Sequence, residues 1–349
     1  MLDTILSERN LPPLKSREEM ISVLLDEEYG RIPKRPEKLT FEVIDKPLIN
    51  KFCANKATLH KVIAKCTLNG KEFSFPFYRT LPTTPGKHPF FVHINFRPDV
   101  PDRYMPSEEL IDSGFAVFSF CYTDITTDNG DFTDGLAGIL YPDGMRLPND
   151  AGKIALWSWA AQRVMDYAET ISDVLDLDRA VVCGHSRLGK TALLAAATDT
   201  RFTFAHSNDS GCSGAAITRA KVGEQASDIC KRFPYWFCEN YLKYANNEHL
   251  MPFDQHWLIA CIAPRYVSIA SAIEDEWADP KSEFIACKAA STAFVNGFIC
   301  EDRLPTINDS FFDGDIGYQL RAGAHYFSRE DWLKLIQFIN KKFEDKNKI

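Results

Sequence analysis

The sequence predicts an α/β fold, with a mostly parallel central sheet flanked by helices and preceded by antiparallel strands. Three observations carry that expectation. Two near-continuous apolar runs, HPFFVHINF (88–96) and FAVFSFCYT (115–123), read as strands buried on both faces. From there onward, strand-like and helix-like segments alternate. Ahead of them, residues 38–80 hold short alternating segments punctuated by turn signals.

In chain order, SREEMISVLLDEEYG (16–30) opens with Ser16 and Glu19 spaced as a capping box and continues with helical spacing. LTFEVI, KATLHKVIAKCTLN and KEFSFPFYRTL follow as antiparallel strands, with turns at Asn69-Gly70 and Pro85-Gly86. Next come the two buried strands, then AGKIALWSWAAQRVMDYAETI (151–171) as a long amphipathic helix. RAVVCG (179–184) is read as a strand and KTALLAAATD as the helix behind it. FTFAHS (202–207) and YVSIASA (266–272) add two strands, and DWLKLIQFINKKF closes the chain as a helix. No linker interrupts this series, so residues 1–349 are read as one domain with 1–37 as a helical lead-in.

Composition narrows the function. With 45% hydrophobic residues, 25% charged residues and a formal net charge of −8, the chain is ordinary for a globular protein. The acidic balance and the lack of a basic tract argue against a nucleic-acid partner. No apolar run approaches the roughly 18 residues of a membrane span. The first residues lack the basic-then-apolar pattern of a signal peptide, which makes the expected location cytoplasmic. The ten cysteines are scattered without metal-ligand spacing, so buried free thiols are expected and no metal or organic cofactor. Cys230 and Cys238 are the pair that a secreted protein would bridge.

The decisive stretch is VVCGHSRLGKTALL (181–194), which satisfies two motifs with incompatible chemistry. Gly184 to Thr191 match a phosphate-cradling P-loop, in which Lys190 would reach the phosphates and Thr191 a magnesium ion. Yet the match falls midway along the chain, behind two buried strands, and His185, Ser186, Arg187 and Leu188 are bulky for a loop that wraps phosphate. The other motif is the serine nucleophile elbow of α/β-hydrolases, a tight strand-to-helix turn that lifts a hydroxyl above the strand ends. Gly184 supplies the small residue two places before Ser186, whereas the glycine expected two places after it arrives one place late, at Gly189.

A nucleophilic serine needs a histidine base and an acid that orients it. Of the eight histidines, His325 in RAGAHYFSREDW lies just before the last helix, where this fold carries its base. For the acid, IEDEW after the strand YVSIASA offers Asp275, with Trp277 to wall the site. Asp209 in HSNDSGCSG is the second candidate.

These residues resemble a known family. GHSRLGK is similar to the G-C-S-R-x-G-K motif of the glucuronoyl esterases, carbohydrate esterase family fifteen. NDSGCSG, MPFDQHWLIACIAPR, EDEWADP and the early EEYGRIP resemble further stretches of that family, so the likeness spans most of the chain. The resemblance implies a serine carbohydrate esterase acting on a small carbohydrate ester. Ser186 would be the nucleophile, His325 the base and Asp275 or Asp209 the acid. Arg187 would bind the oxyanion, and Lys190 and Trp277 would contact the sugar. His185 departs from the family cysteine, and the stretch before Arg219 lacks the family's glycine pair and tryptophan. The implied substrate is a 4-O-methyl-glucuronoyl ester; an acetyl ester on imported oligosaccharides is the alternative. The P-loop nucleotide hydrolase and a catalytically silent sugar-binding protein are rivals from other classes.

Overall fold

The computed structural model describes residues 1–44, 46–49 and 51–346. Its ten strands are β1 (Lys38–Val43), β2 (Ala57–Leu68), β3 (Lys71–Pro82), β4 (His88–Asn95), β5 (Ala116–Cys121), β6 (Leu175–His185), β7 (Phe204–Asn208), β8 (Tyr266–Ala272), β9 (Ser310–Phe311) and β10 (Ile316–Arg321). They form one sheet in the order β1-β2-β3-β5-β4-β6-β7-β8-β10-β9. Pairing is antiparallel from β1 through β3 to β5, then parallel across β5, β4, β6, β7, β8 and β10. Strand β9 returns antiparallel at the far edge.

The β2–β3 hairpin turns where the sequence places it, with Asn69 at φ 51° and Gly70 at φ 69°. Two consecutive left-handed residues match the twist of the flanking strands. At the N-terminus, Ser16 accepts from the Glu19 N–H and Glu19 bonds back, closing the expected capping box on the helix Arg17–Leu24.

Helices cover both faces of the parallel part. Phe90, Val92 and Ile94 of β4 and Val182 of β6 pack with the helices Lys153–Thr170 and Arg187–Thr198. Phe91 of β4 and Val181 of β6 point the other way, against Trp332, Leu335 and Phe338 of the helix Arg329–Lys346. Strands buried on both faces thus need apolar residues at successive positions, which is the pattern in the sequence.

Several elements differ from expectation, three of them near the site. The helix after β6 begins at Arg187 rather than at Lys190, so the motif itself forms its first turn. Strand β10 and the helix Pro280–Ala290 were not anticipated. Gly317 and Gln319 interrupt the apolar pattern of β10, although all six of its residues are buried. All ten cysteines are free, Cys230 and Cys238 included. No helix among the described residues is long and apolar enough to cross a membrane.

Candidate active site

Ser186 sits where β6 ends and the helix Arg187–Thr198 begins, at φ 58° and ψ −129°. A non-glycine residue there stores on the order of 1–3 kcal/mol, held by its surroundings. The Ser186 N–H is pinned to the Asn208 carbonyl of β7 at 2.9 Å, while its own carbonyl accepts from Gly189 N–H at 2.9 Å. Both flanking glycines are required. A Cβ on Gly184 would lie 2.2 Å from the Leu188 carbonyl oxygen, and one on Gly189 would lie 2.8 Å from the Ser207 hydroxyl. The glycine displaced by one residue therefore serves contact with β7, and Leu188 approaches Gly184 through its backbone.

This geometry disfavours phosphate cradling. The Gly189 and Lys190 N–H groups already bond the Ser186 carbonyl. The Thr191 hydroxyl bonds back to the Arg187 carbonyl at 2.9 Å, and the Lys190 ammonium turns into the protein. Lys190 is buried; it donates to the Ser210 carbonyl at 2.6 Å and to the Cys212 carbonyl, with Glu224 3.6 Å away. The ammonium is thus committed to the loop after β7, and Glu224 beside it borders the same cleft as Lys190.

The expected base and acid, His325 and Asp275, come from adjacent strand ends. Asp275, buried in the turn after β8, accepts from His325 Nδ1 at 2.5 Å. The ladder between β8 and β10 continues past both strands, with Ile273 N–H on the Arg321 carbonyl (2.9 Å) and Glu274 N–H on the Gly323 carbonyl (3.0 Å). Arg321 secures the histidine loop from beneath: it donates to the carbonyls of Ala322, Ala324 and Tyr326. Its guanidinium pairs with Asp331 at 2.8 Å and with Asp209 at 3.3 Å.

Asp209 therefore occupies a different position from Asp275. It accepts the Ala272 N–H at 2.7 Å and faces Arg321. Burial, reinforced by Glu283, Asp331 and Asp275, pushes its carboxyl well above the usual range, and Arg321 only partly opposes this. Oxygens of Asp209 and Asp275 and a nitrogen of His325 lie within 4.8 Å of one another, a spacing that a metal could use. The Asp275–His325 Nδ1 pair is already closed, and the Asp209 oxygens are engaged with Ala272 and Arg321, while no partner is seen for His325 Nε2 among the described residues.

His185 adds a group that the sequence did not assign. Its ring lies 4.3 Å from the His325 ring, and its Nδ1 bonds Asn208 Oδ1 at 2.6 Å. Burial lowers its pKa to about 3, helped by the neighbouring His325, so this imidazole stays neutral beside His325.

Arg187 pairs with Asp128 and lies over the Trp236 ring at 4.6 Å. Asp128 in turn accepts from Trp236 Nε1 at 2.7 Å and Tyr122 hydroxyl at 2.9 Å, which fixes the guanidinium. Arg187 Nε is buried with no hydrogen-bond partner among the described residues. The Arg187 and Leu188 N–H groups occupy the first helical turn, where an α-helix supplies no internal acceptor. Spare donors thus gather next to Ser186.

Ser186, Arg187, Lys190, Asp275, Trp277 and His325 border one cleft of about 320 Å³, as does Asp209. Trp277 stands at its edge, 46% exposed, with its indole N–H on Glu224 at 3.3 Å. Asp128, Glu224 and Arg321 were missed by sequence reasoning because each works through a partner distant in the chain. The EEYGRIP and MPFDQHW stretches turn out to brace the fold behind the cleft: Gln255 donates to Glu28 at 2.9 Å, and Asp254 pairs with Arg219 at 3.0 Å.

Known proteins with similar sequences and folds are carbohydrate esterases. The family profile described as "Glucuronyl esterase, fungi" matches residues 64–296. The chain is 40% identical over 238 residues to carbohydrate esterase MZ0003 of an unknown prokaryotic organism, covering 67% of this chain and 55% of that one. It is 27% identical over 290 residues to 4-O-methyl-glucuronoyl methylesterase 1 of Phanerochaete chrysosporium, covering 80% of this chain and 57% of that protein. The chain thus spans about half the length of the curated relatives it matches. Among solved structures, a glucuronoyl esterase from Solibacter usitatus superposes with a TM-score of 0.84 at 32% identity, covering 93% of this chain and 91% of the other.

Proposed function

Because this chain belongs to the glucuronyl esterase family of α/β-hydrolases, we propose that it hydrolyses a 4-O-methyl-glucuronoyl-type ester on a plant-derived carbohydrate by serine catalysis. The observation that carries the reading is Ser186 at φ 58° on a glycine-flanked turn, in one cleft with the His325–Asp275 pair. Asp275 accepts the proton of Nδ1, which leaves Nε2 as the basic nitrogen.

Ser186 Oγ attacks the ester carbonyl as His325 takes its proton. The carbonyl oxygen becomes an oxyanion, met by the Arg187 N–H and the unpartnered side of its guanidinium; one such preorganised donor is worth about 3 kcal/mol. Collapse of the tetrahedral species breaks the bond to the alcohol oxygen, which receives the proton from His325. A water molecule, deprotonated by the same imidazole, then attacks the acyl-enzyme and releases the carboxylic acid. The exposed Trp277 face and the Glu224 carboxylate support a sugar seated at the edge of the cleft. Ten unbridged cysteines support a reducing, cytoplasmic setting.

The test is intact mass after treatment with a fluorophosphonate, alongside hydrolysis of methyl glucuronate and of an acetylated xylo-oligosaccharide. One adduct in the wild type, none in Ser186→Ala, and faster turnover of the uronate ester are expected. No adduct would sink serine catalysis, and preference for the acetyl ester would replace the substrate.

A further inference from the structure

The charged side chains around the cleft are paired with one exception. Arg187 meets Asp128, Lys190 meets Glu224, Asp209 meets Arg321 and Asp275 meets His325. Arg232 borders the same cleft with no carboxylate in ion-pair range among the described residues. It is exposed, and its guanidinium carbon lies 5.1 Å from the Phe233 ring centre and 5.9 Å from that of Trp277.

That shelf is itself fixed. Phe233 stacks on Trp236 at 4.0 Å and 2°, and Trp277 is tethered to Glu224. Aromatic faces hold a guanidinium without neutralising it, so its hydrogen-bonding fork stays free for an oxyanion. In a chain of net charge −8, such a cation stands out electrostatically. Lys231, its neighbour in the last turn of the helix Ala226–Arg232, is also exposed but does not border the cleft.

We propose that Arg232 forms a carboxylate-binding subsite, selecting saccharides that carry a second, unesterified uronate next to the ester-bearing sugar. The inference rests on the ester-hydrolase reading. A neutral sugar would leave the Arg232 fork solvated; a uronate packed beside Trp277 would receive a bidentate pair.

Calorimetry on Ser186→Ala protein separates binding from turnover. The probes are a disaccharide with one methyl-esterified and one free uronate, and its fully methylated counterpart. The half-acid form should bind about three- to fivefold tighter at low salt, as expected for a partly exposed ion pair. The preference should vanish with Arg232→Gln or at about 0.5 M salt, and survive Lys231→Gln. Equal affinities, no binding of either probe, or a preference that persists in Arg232→Gln would overturn the proposal. Absence of a fluorophosphonate adduct on the wild-type enzyme would instead strike the ester-hydrolase reading, because the subsite is judged from binding alone.

Discussion

In β2, buried Leu59, Val62, Ala64 and Cys66 are interleaved with more exposed Thr58, Lys61 and Lys65, whereas every residue of β4, β5 and β7 is buried. The antiparallel edge can place polar side chains anywhere along its outer face. The parallel body, covered by helices on both sides, keeps its chemistry where strands stop. Ser186 follows β6, Asp209 follows β7, Asp275 follows β8 and His325 follows β10. The contrast teaches that one sheet separates two tasks: its edge adds hydrophobic area, and the carboxyl ends of its interior strands hold the proposed catalytic groups.

Substitutions can sharpen this division. Replacing Asp275 by Asn is expected to lower kcat by roughly 10³- to 10⁴-fold with little change in Tm, since it disturbs the base's tautomer rather than packing. The same change at Asp209 should cost less than about tenfold, because that carboxyl braces Arg321 and the Ala272 N–H rather than the His325 ring. Equal losses at the two sites, measured by steady-state kinetics, would erase the distinction between acid and brace. On the antiparallel edge, Phe75→Ala removes a fully buried ring from β3 and should cost about 3–5 kcal/mol of stability. Activity per folded molecule should persist there; a matching loss of kcat would join the two regions that the comparison separates.

The smallest effect concerns pH. Burial lowers His93 to about 4, His185 and His206 to about 3, and also lowers His256. Each favours the folded state above the ordinary histidine pKa of 6.5, and that stability is lost as pH falls toward the folded value. Glu28 is raised to about 8, Glu283 to about 7, and Asp209 is raised as well. These acids contribute below their unfolded values, near 4 to 4.5, and lose that contribution as pH rises. Between about pH 4.5 and 6.5 the two sets oppose one another, so their contributions largely cancel. A broad Tm plateau there, declining on both sides, is expected. None of these groups lies in β1, β2 or β3, so substituting the exposed Glu42 or Lys65 should leave the profile in place.

Much of this arrangement is legible in the sequence because it follows from local rules. Alternation and the Asn69-Gly70 turn mark the hairpin, continuous apolar runs mark β4 and β5, and Gly184 before Ser186 marks the elbow. Strand β10 escapes because Gly317 and Gln319 break its pattern: Gly317 makes room for Phe338, whose ring would lie 2.9 Å from an added Cβ, and Gln319 bonds buried Asp331 at 3.0 Å. Asp128 and Arg321 escape for a related reason. Their partners, Arg187 and Asp209, lie 59 and 112 residues away, and no local spacing encodes such pairings.

The hydrogen-bond ladder that runs past the ends of β8 and β10 has a consequence for protein engineering. Since Ile273 and Glu274 are zipped to Arg321 and Gly323, the acid turn and the histidine loop form a single transplantable cassette. A graft that carried His325 on its own loop, without 272–279 and the Arg321 anchor, would deliver the imidazole unaimed. Swapping both loops together is the unit of exchange by which a related scaffold could acquire this base with its orientation intact.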